Sequence, residues 1–212
     1  MQVKDVKNNG NAVMKQRCSI RVYDPSVKIS REEIEKILQD AMTAPSSLNL
    51  QPWRFVVVNT PEGKELLKPF MSFNQQQLET CSAMIAVFGD LQFMSNAEKI
   101  YSAAVEKGLM TPEHSQMMLG VINGAKQNIP AEAIKDGILA DCGLVIMQLM
   151  LAAKAYGYDT NPIGGYDKGA VTKALGMDTS RYIPVLLVSI GKAAEEKHDS
   201  IRFSVNEVTQ WK

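Results

Sequence analysis

The chain has 212 residues and a mass of 23.4 kDa, a length that predicts a single domain over residues 1–212 rather than a string of modules. Hydrophobic residues make up 45% of the chain and charged residues 22%, which excludes a wholly disordered, collagen-like or disulfide-scaffold protein. Lys plus Arg and Asp plus Glu each number 23, so the net charge of zero removes the overall basic bias of many nucleic-acid binders.

The cysteines and the N-terminus indicate a cytoplasmic protein. Cys18, Cys81 and Cys142 form no CxxC pair and are odd in number, which favours reduced thiols over a zinc or disulfide framework. Residues 1–15 lack the apolar core and cleavage site of a secretory signal. We therefore expect a cytoplasmic location, with no metal and with neither nucleic acid nor membrane as a partner.

Two helices and a strand are predicted in the first third of the chain. Ser30 and Glu33 form a capping box before an apolar stripe at helical spacing, which predicts a helix over 31–42. After the loop APSSLNLQP, the β-branched and aromatic run 53–58 predicts a buried strand. The sequence Thr60-Pro61 then opens another helix, with Thr as N-cap and Pro as the first helical residue.

The remainder of the chain combines long helical patterns with few strands. Continuous apolar runs at 83–88 and 184–190 predict central strands, and helical patterns lie near 92–107, 112–126 and 131–156. Because helices outnumber strands without a strict βαβ alternation, we predict an α+β fold, a small and mostly antiparallel sheet flanked by helices.

The longest apolar stretch, 138–153, is interrupted by Asp141 and Gln148. It is shorter than the roughly 20 apolar residues of a membrane span, so it is interpreted as a core helix. Its apolar surface is hard to cover within one chain of this size, which favours a second subunit packed against one face. The alternative is a helix surrounded entirely by its own chain.

Common catalytic signatures are absent from the sequence. No GxGxxG follows a strand, and the segment GYDKGAVT lacks the Lys and Ser/Thr pair of a P-loop. His114 and His198 are the only histidines, and they lie in polar segments outside HExxH or GxSxG motifs. Both are interpreted as surface residues, and no catalytic side chain is predicted.

Three polar segments stand out, of which the first is Arg17-Cys18-Ser19-Ile20-Arg21. In an extended segment the two guanidinium groups and the hydroxyl lie on one side, since side chains alternate with period 2. Planar arginine donors suit an anion such as phosphate. The alternative is two surface arginines paired with nearby carboxylates.

The other two polar segments are loops. The loop 44–53 carries hydroxyls and amides that are suited to the edge of a planar heterocycle. The segment 157–166 follows the long helix, and its paired glycines permit close approach of a ligand to the backbone. Ordinary turn chemistry is the alternative for both loops.

In their order and spacing these segments resemble the nitroreductase family of FMN-dependent oxidoreductases. The resemblance spans residues 11–209 and rests on the RxSxR start, the APSSxNxQPW loop, the PIGGYD turn and the PVLLVSIGK strand. It implies a nitroreductase-like fold and a homodimer in which long central helices pack together and two FMN molecules lie in the interface.

The resemblance also implies which residues hold FMN. Arg17 and Ser19, with Cys18 between them, would bind the phosphate together with Arg202, and Arg21 would reach N1 and the C2 carbonyl. A fixed positive charge there stabilises the negative charge that two-electron reduction places on this edge. A reactive Cys18 thiolate is disfavoured, because alternation turns the thiol away from both arginines.

Further residues are implied at the flavin ring. Asn74 would bind the pyrimidine ring, and Gln77 occupies a position where several relatives carry Lys or Arg, which implies a somewhat lower reduction potential. Enteric nitroreductases have Glu in place of Gly164, so their substrate specificity does not transfer to this chain.

The resemblance also implies residues on the two sides of the ring. The second subunit would contribute Pro45, Ser46, Ser47 and Asn49. The opposite ring face, with a backbone N–H directed at N5, would be lined by Pro162, Ile163, Gly164 and Gly165.

The implied activity is ping-pong transfer of hydride from NADH or NADPH through flavin N5 to a nitroaromatic, quinone or similar conjugated acceptor. The pocket lining is expected from region 92–127, although core packing explains the same side chains equally well; these are Phe93, Met94, Tyr101, Met117 and Met118. One alternative function is a flavin-binding storage or sensor protein, and another is an interaction domain without flavin.

Overall fold

The computed structural model describes residues 3–212, with side chains from residue 10 onward, so the first two residues of the predicted domain lie outside it. The strands are β1 (Trp53–Val58), β2 (Ala83–Asp90), β3 (Asp159–Ile163) and β4 (Tyr182–Gly191). The helices are α1 (Val3–Gln16), α2 (Arg31–Ala41), α3 (Pro61–Leu67), α4 (Gln75–Thr80), α5 (Asn96–Glu106), α6 (Pro112–Asn128), α7 (Ala131–Ala155), α8 (Lys168–Ala174) and α9 (Val205–Val208).

The four strands form one antiparallel sheet in the order β1-β2-β4-β3. All eight residues of β2 are buried, which explains why its sequence is continuously apolar rather than alternating. One face of the sheet packs against α2, α5, α6 and α7, and the other packs against α3, α4, α8 and the segment around Tyr23. The predicted α+β class, with a small antiparallel sheet flanked by helices, is confirmed.

Local capping signals set the helix starts as expected. Ser30 Oγ accepts a hydrogen bond of 3.1 Å from Glu33 N at the start of α2. Thr60 Oγ1 accepts one of 3.1 Å from Gly63 N at the start of α3, with Pro61 as the first helical residue. These hydroxyls satisfy N–H groups that have no partner within a helix, which fixes where each helix begins.

The segment after α7 differs from its predicted turn. Residues 159–163 form β3, which is paired through Thr160 with Ile190 and through Pro162 with Val188 of β4. A proline is tolerated there because β3 is an edge strand and needs no second ladder donor. Helices α1, α4 and α8 were likewise not expected from the sequence pattern.

The helix α7 is the central packing element. By length and hydropathy alone it resembles a membrane span, yet half of its most apolar window is buried within the protein, as in a core helix. Its exposed side carries apolar and small residues at helical spacing, including Leu144 and Met147, which are 48% and 40% exposed. This stripe is the surplus apolar surface that the sequence indicated; it comprises Ala140, Gly143, Leu144 and Met147.

Two cysteine thiols lie deep in the packing. Cys142 Sγ lies on α7 and faces the carbonyl of Phe88, and burial raises the pKa of this thiol to about 12. Cys81 lies just before β2, and burial raises its pKa to about 11. Both thiols are therefore protonated at neutral pH.

The close approach of α7 to the sheet depends on Gly89 in β2. A Cβ atom at this position would lie 2.2 Å from Ile138 Cγ2 on α7. We expect Gly89→Ala to lower the free energy of unfolding by about 1–3 kcal/mol, because an overpacked core must shift or strain. Urea unfolding followed by circular dichroism measures the loss. Gly120→Ala on the open face of α6 is the matched control, where a Cβ meets no atom within 4 Å; an equal loss in both variants would contradict the explanation.

Candidate functional site

The segment Arg17–Arg21 lies against the edge strand β3. Ser19 forms a parallel bridge with Thr160, whose carbonyl accepts a hydrogen bond of 3.2 Å from Ile20 N. Ile20 is buried, whereas Ser19 and Arg21 are exposed and Arg17 is half-buried. The segment thus has the alternation that the sequence predicts, with its apolar side chain inward and its polar side chains outward.

Among the side chains that the structure describes, the two arginines of this segment have no carboxylate partner. Within residues 10–212, no carboxylate oxygen lies within ion-pair distance of Arg17 or Arg21. The nearby Glu195 instead accepts hydrogen bonds from the backbone N–H groups of Arg21 and Val22, at 2.5 and 3.2 Å. Arg17 and Arg21 therefore do not form the ion pairs that the alternative interpretation required. Their guanidinium groups remain available to an anion.

Cys18 lies between the arginines in sequence but not in space. It is half-buried and packs against the apolar cluster beneath the sheet. Its thiol consequently faces the opposite side from the two guanidinium groups, as the alternation of an extended segment requires.

Glycines 164 and 165 leave a backbone edge uncovered at the end of β3. A Cβ on Gly165 would meet no atom within 4 Å, and one on Gly164 would make only an ordinary contact of 3.5 Å with Leu186. Neither residue has a positive φ, so neither the backbone conformation nor internal packing requires glycine there. Open space over glycine backbone is suited to a ligand that approaches the main chain closely. Pro162 is half-buried and Ile163 is buried in the core, and both lie in β3 directly before this edge.

Two amides adjoin the glycine edge. Asn74 Nδ2 donates to the carbonyl of Gly165 at 3.3 Å, and Gln77 Nε2 donates to Asn74 Oδ1 at 3.1 Å. Gln77 is buried, so it holds the Asn74 amide in one orientation. We call the set along this edge the β3 cradle; it comprises Arg17, Ser19, Arg21, Asn74, Gly164 and Gly165.

The loop 45–51 has an unusual backbone. Leu48, Asn49 and Gln51 have φ values of +55°, +57° and +48°. Each such conformation costs a non-glycine residue about 1–2 kcal/mol. The loop keeps this shape only if surrounding contacts hold it there.

Those contacts come from two helices. The buried carboxylate of Asp141 on α7 accepts from Ser47 N at 3.0 Å and from Ser47 Oγ at 3.2 Å. From α5, Tyr101 Oη donates to the carbonyl of Leu48 at 3.0 Å, and Asn96 Nδ2 donates to that of Leu50 at 2.8 Å. Burial raises the pKa of Tyr101, so its hydroxyl remains a proton donor.

Within one chain the loop 45–51 and the β3 cradle lie at opposite edges of the sheet. The loop leads into β1, and the strand order separates β1 from β3 by three strand spacings, about 14 Å. The structure therefore does not bring Pro45, Ser46, Ser47 and Asn49 to the cradle of their own chain.

Arg202 lies on the C-terminal tail. Its guanidinium donates to Ser200 Oγ at 2.7 Å and to the carbonyl of Ile201 at 3.0 Å, both on the same tail. No hydrogen bond or ion pair joins it to Arg17 or Ser19 among the described residues. Its role at a phosphate remains a prediction.

The apolar side chains of region 92–127 divide between core and surface. Phe93 and Tyr101 are buried in the main core, and Met94 and Met118 pack partly against it. Met117 is 56% exposed. Core packing therefore accounts for most of these residues within one chain.

Sequence reasoning missed the residues that support the site. Asp141 was visible only as an interruption of an apolar helix, and its partner Ser47 lies 94 residues away in sequence. Glu195 and Asn96 carried no local signal at all. A lone carboxylate within an apolar helix is the one pattern that pointed toward a buried contact.

Comparison with known proteins gives one consistent family. The sequence model of the nitroreductase family matches residues 14–192. A candidate NAD(P)H nitroreductase of Bacillus subtilis, YdgI, is 52% identical over 205 residues, which cover 97% of this chain and 98% of that protein. The CLA biosynthesis enone reductase of Lactiplantibacillus plantarum is 39% identical over 211 residues, which cover 99% of this chain and 97% of that protein.

A solved structure agrees with these sequence matches. A candidate nitroreductase from Exiguobacterium sibiricum, crystallised in complex with FMN, superposes with a TM-score of 0.93 at 53% sequence identity. The match covers 95% of this chain and 96% of that one. The predicted family and its fold are confirmed.

The Asp141 carboxylate is expected to control the order of the loop. Asp141→Ala removes the acceptor for Ser47 N and Oγ, and an unsatisfied buried donor costs about 1–3 kcal/mol. We expect amide exchange across 45–51 to be at least about tenfold faster, since 1.4 kcal/mol is a factor of ten. Hydrogen exchange measured by mass spectrometry tests this. The control is Asp136→Ala on the exposed face of α7; unchanged exchange in the Asp141 variant would remove its anchoring role.

Proposed function

The chain belongs to the nitroreductase family, and we propose that it is an NAD(P)H-dependent oxidoreductase that holds FMN in the seam of a homodimer. Its acceptors are nitroaromatics, quinones or similar conjugated molecules. The observation that carries the proposal is the β3 cradle. Its guanidinium groups have no carboxylate partner among the described side chains, and they lie along the same edge strand as the uncovered backbone of the two glycines. A crystal structure of a 53% identical relative contains FMN.

The donor set of the cradle fits FMN. Arg17 and Ser19 offer a cation and a hydroxyl to the phosphate group, and Arg202 of the tail adds a second cation. Asn74, oriented by Gln77, offers an amide to the pyrimidine ring. The space that a Cβ on Gly165 would fill leaves room for a flat ring against the backbone of Gly164 and Gly165.

When bound, FMN supplies the centre that accepts and donates hydride. The residues of this chain bind and orient it and set the charge around it. Arg21 would place a positive charge that favours electron density at the pyrimidine edge, and the Gly164 backbone would offer an N–H donor to the ring. NAD(P)H and the acceptor use the same pocket in turn, which is a ping-pong order. No protein acid or base is needed for this exchange.

A second subunit completes the site. The loop 45–51 lies across the sheet from its own cradle, so it reaches a flavin only from a neighbouring chain. The apolar stripe of α7 and the exposed apolar side chains of the tail offer surface for that contact; the tail residues are Ile201, Phe203, Val205, Val208 and Trp211. We therefore propose a homodimer, located in the cytoplasm.

The relatives add one class of acceptor to the proposal. The Lactiplantibacillus plantarum relative is named an enone reductase. A solved structure 38% identical to this chain is described as an enone reductase that catalyses a key step of a gut-bacterial fatty acid saturation metabolism. Nitro groups, quinones and enones are all electron-poor conjugated systems, so a pocket over a flavin ring accepts them by the same chemistry. Enones therefore join nitroaromatics and quinones as proposed acceptors.

Reduction of bound flavin tests the proposed function. Purified protein loaded with FMN should lose its visible flavin absorbance when NADH or NADPH is added without oxygen, and regain it when menadione or nitrofurazone follows. Protein that binds FMN but is inert to both nicotinamides would instead be a storage or sensor protein. Protein that gains no flavin signal would overturn the proposal.

Arg21→Ala should destabilise reduced flavin while the dimer persists. The Arg21 backbone contact with Glu195 does not use the guanidinium, so the fold keeps this contact. Loss of a fixed charge at the pyrimidine edge is expected to lower the two-electron midpoint potential by about 30 mV or more, the equivalent of about 1.4 kcal/mol. Spectroelectrochemistry measures the potential, with Arg31→Ala on the exposed face of α2 as control. An unchanged potential would take Arg21 out of this role.

Gln77→Lys should have the opposite effect. It adds a positive charge beside Asn74, so we expect a midpoint potential higher by about 30 mV. The same measurement decides this, and a lower potential in the variant would contradict the electrostatic explanation. Gln77→Leu serves as the uncharged control for the lost hydrogen bond to Asn74.

A further inference from the structure

An apolar cavity of about 170 Å³ lies behind the loop 45–51. Its walls come from the loop, from the turn before α5, from α6 and from the first half of α7, and include Leu48, Phe93, Ile122, Ile134 and Gly137. The loop, the turn and the consecutive helices α6 and α7 are distant from one another in sequence, so the cavity is a product of the fold. Leu48, one of the lining residues, is 45% exposed.

The polar groups at the cavity are already satisfied. The Asp141 carboxylate and Ser47 both border it, but they bind each other through Ser47 N and Oγ. The remaining walls offer hydrocarbon only. A charged or strongly polar ligand would therefore lose its hydration without gaining a partner, whereas an apolar chain would gain by leaving water.

The size of the cavity defines the length of such a chain. An apolar cavity of about 150 Å³ in another protein stays dry and binds benzene. The present cavity is of similar volume, so a linear chain of about six carbon atoms fits it. Larger groups would have to displace Phe93 or the loop.

The cavity adjoins the part of the proposed flavin site that the second subunit supplies. Ser47 and Leu48 line it, and the same loop approaches a flavin held by the other protomer under the proposed function. We propose that the cavity binds the alkyl tail of an amphipathic conjugated acceptor whose reactive head lies on that flavin. This inference rests on the proposed function, and it adds a substrate class to it: acceptors with an apolar chain.

A homologous series of acceptors tests the proposal. We expect kcat/KM for 2-alkyl-1,4-naphthoquinones, methyl to octyl, to rise about fourfold per added methylene (about 0.8 kcal/mol each) and to level off near six carbons. Gly137 lines the cavity, and a Cβ there would meet no atom within 4 Å, so Gly137→Leu adds a bulky side chain at the cavity wall. It should reduce the hexyl-to-methyl ratio of kcat/KM at least about tenfold, whereas Gly137→Ala, which adds little volume, should keep the ratio.

Direct binding separates this inference from the proposed function. Isothermal titration of FMN-loaded wild-type protein with octan-2-one should show saturable binding that Gly137→Leu weakens at least about tenfold. A flat chain-length series with turnover intact would overturn the cavity assignment and leave the proposed function standing. Absence of turnover with every quinone would count against the proposed function, and octan-2-one binding would then decide the cavity alone. Weaker dimerisation of Gly137→Leu with an unchanged ratio would show that protein fills the cavity, which also overturns the proposal.

Discussion

The order of the four strands is the constraint on which the proposed site depends. Because β2 and β4 occupy the centre, β1 and β3 are forced to the two edges, and each edge carries one polar segment. The cradle beside β3 has cations, amides and open backbone, whereas the loop before β1 has a rigid, left-handed backbone. The proposed flavin site uses both polar segments, which lie at opposite edges within one chain. A sheet of this order therefore favours a site assembled from two copies, with the exposed stripe of α7 between them.

The central helix connects packing with chemistry. On its inner side α7 approaches the sheet so closely that only glycine fits at position 89 of β2. One turn further along, Asp141 uses a buried carboxylate to hold Ser47, the residue before three strained positions. Three left-handed residues cost several kcal/mol in total, which a charge-assisted hydrogen bond of about 1.5–3 kcal/mol and the donors of Tyr101 and Asn96 offset. The shape of the loop is thus set by the core rather than by its own sequence.

Local signals in the sequence predicted the elements that depend on local interactions. The capping hydroxyls of Ser30 and Thr60 fixed two helix starts, and the β-branched run 53–58 matched β1 residue for residue. The strand β3 was not predicted, because it contains Pro162 and is defined by pairing with β4 and Ser19. The alternation of Arg17, Ser19 and Arg21 was also predicted, because the side-chain directions of an extended segment depend only on its local backbone. Strand order, the partner of Asp141 and the distance between loop and cradle are tertiary facts, which no local pattern encodes.

The buried thiols have a consequence for durability. Quinones and enones alkylate thiolates by conjugate addition, so a protein that handles such electrophiles risks inactivation at its own cysteines. Cys81 and Cys142 avoid this hazard in two ways: they are inaccessible within the core, and their raised pKa values keep the sulfur protonated. Packing on the two faces of the sheet thereby protects these two sulfurs from the proposed substrates, whereas Cys18 is only half-buried.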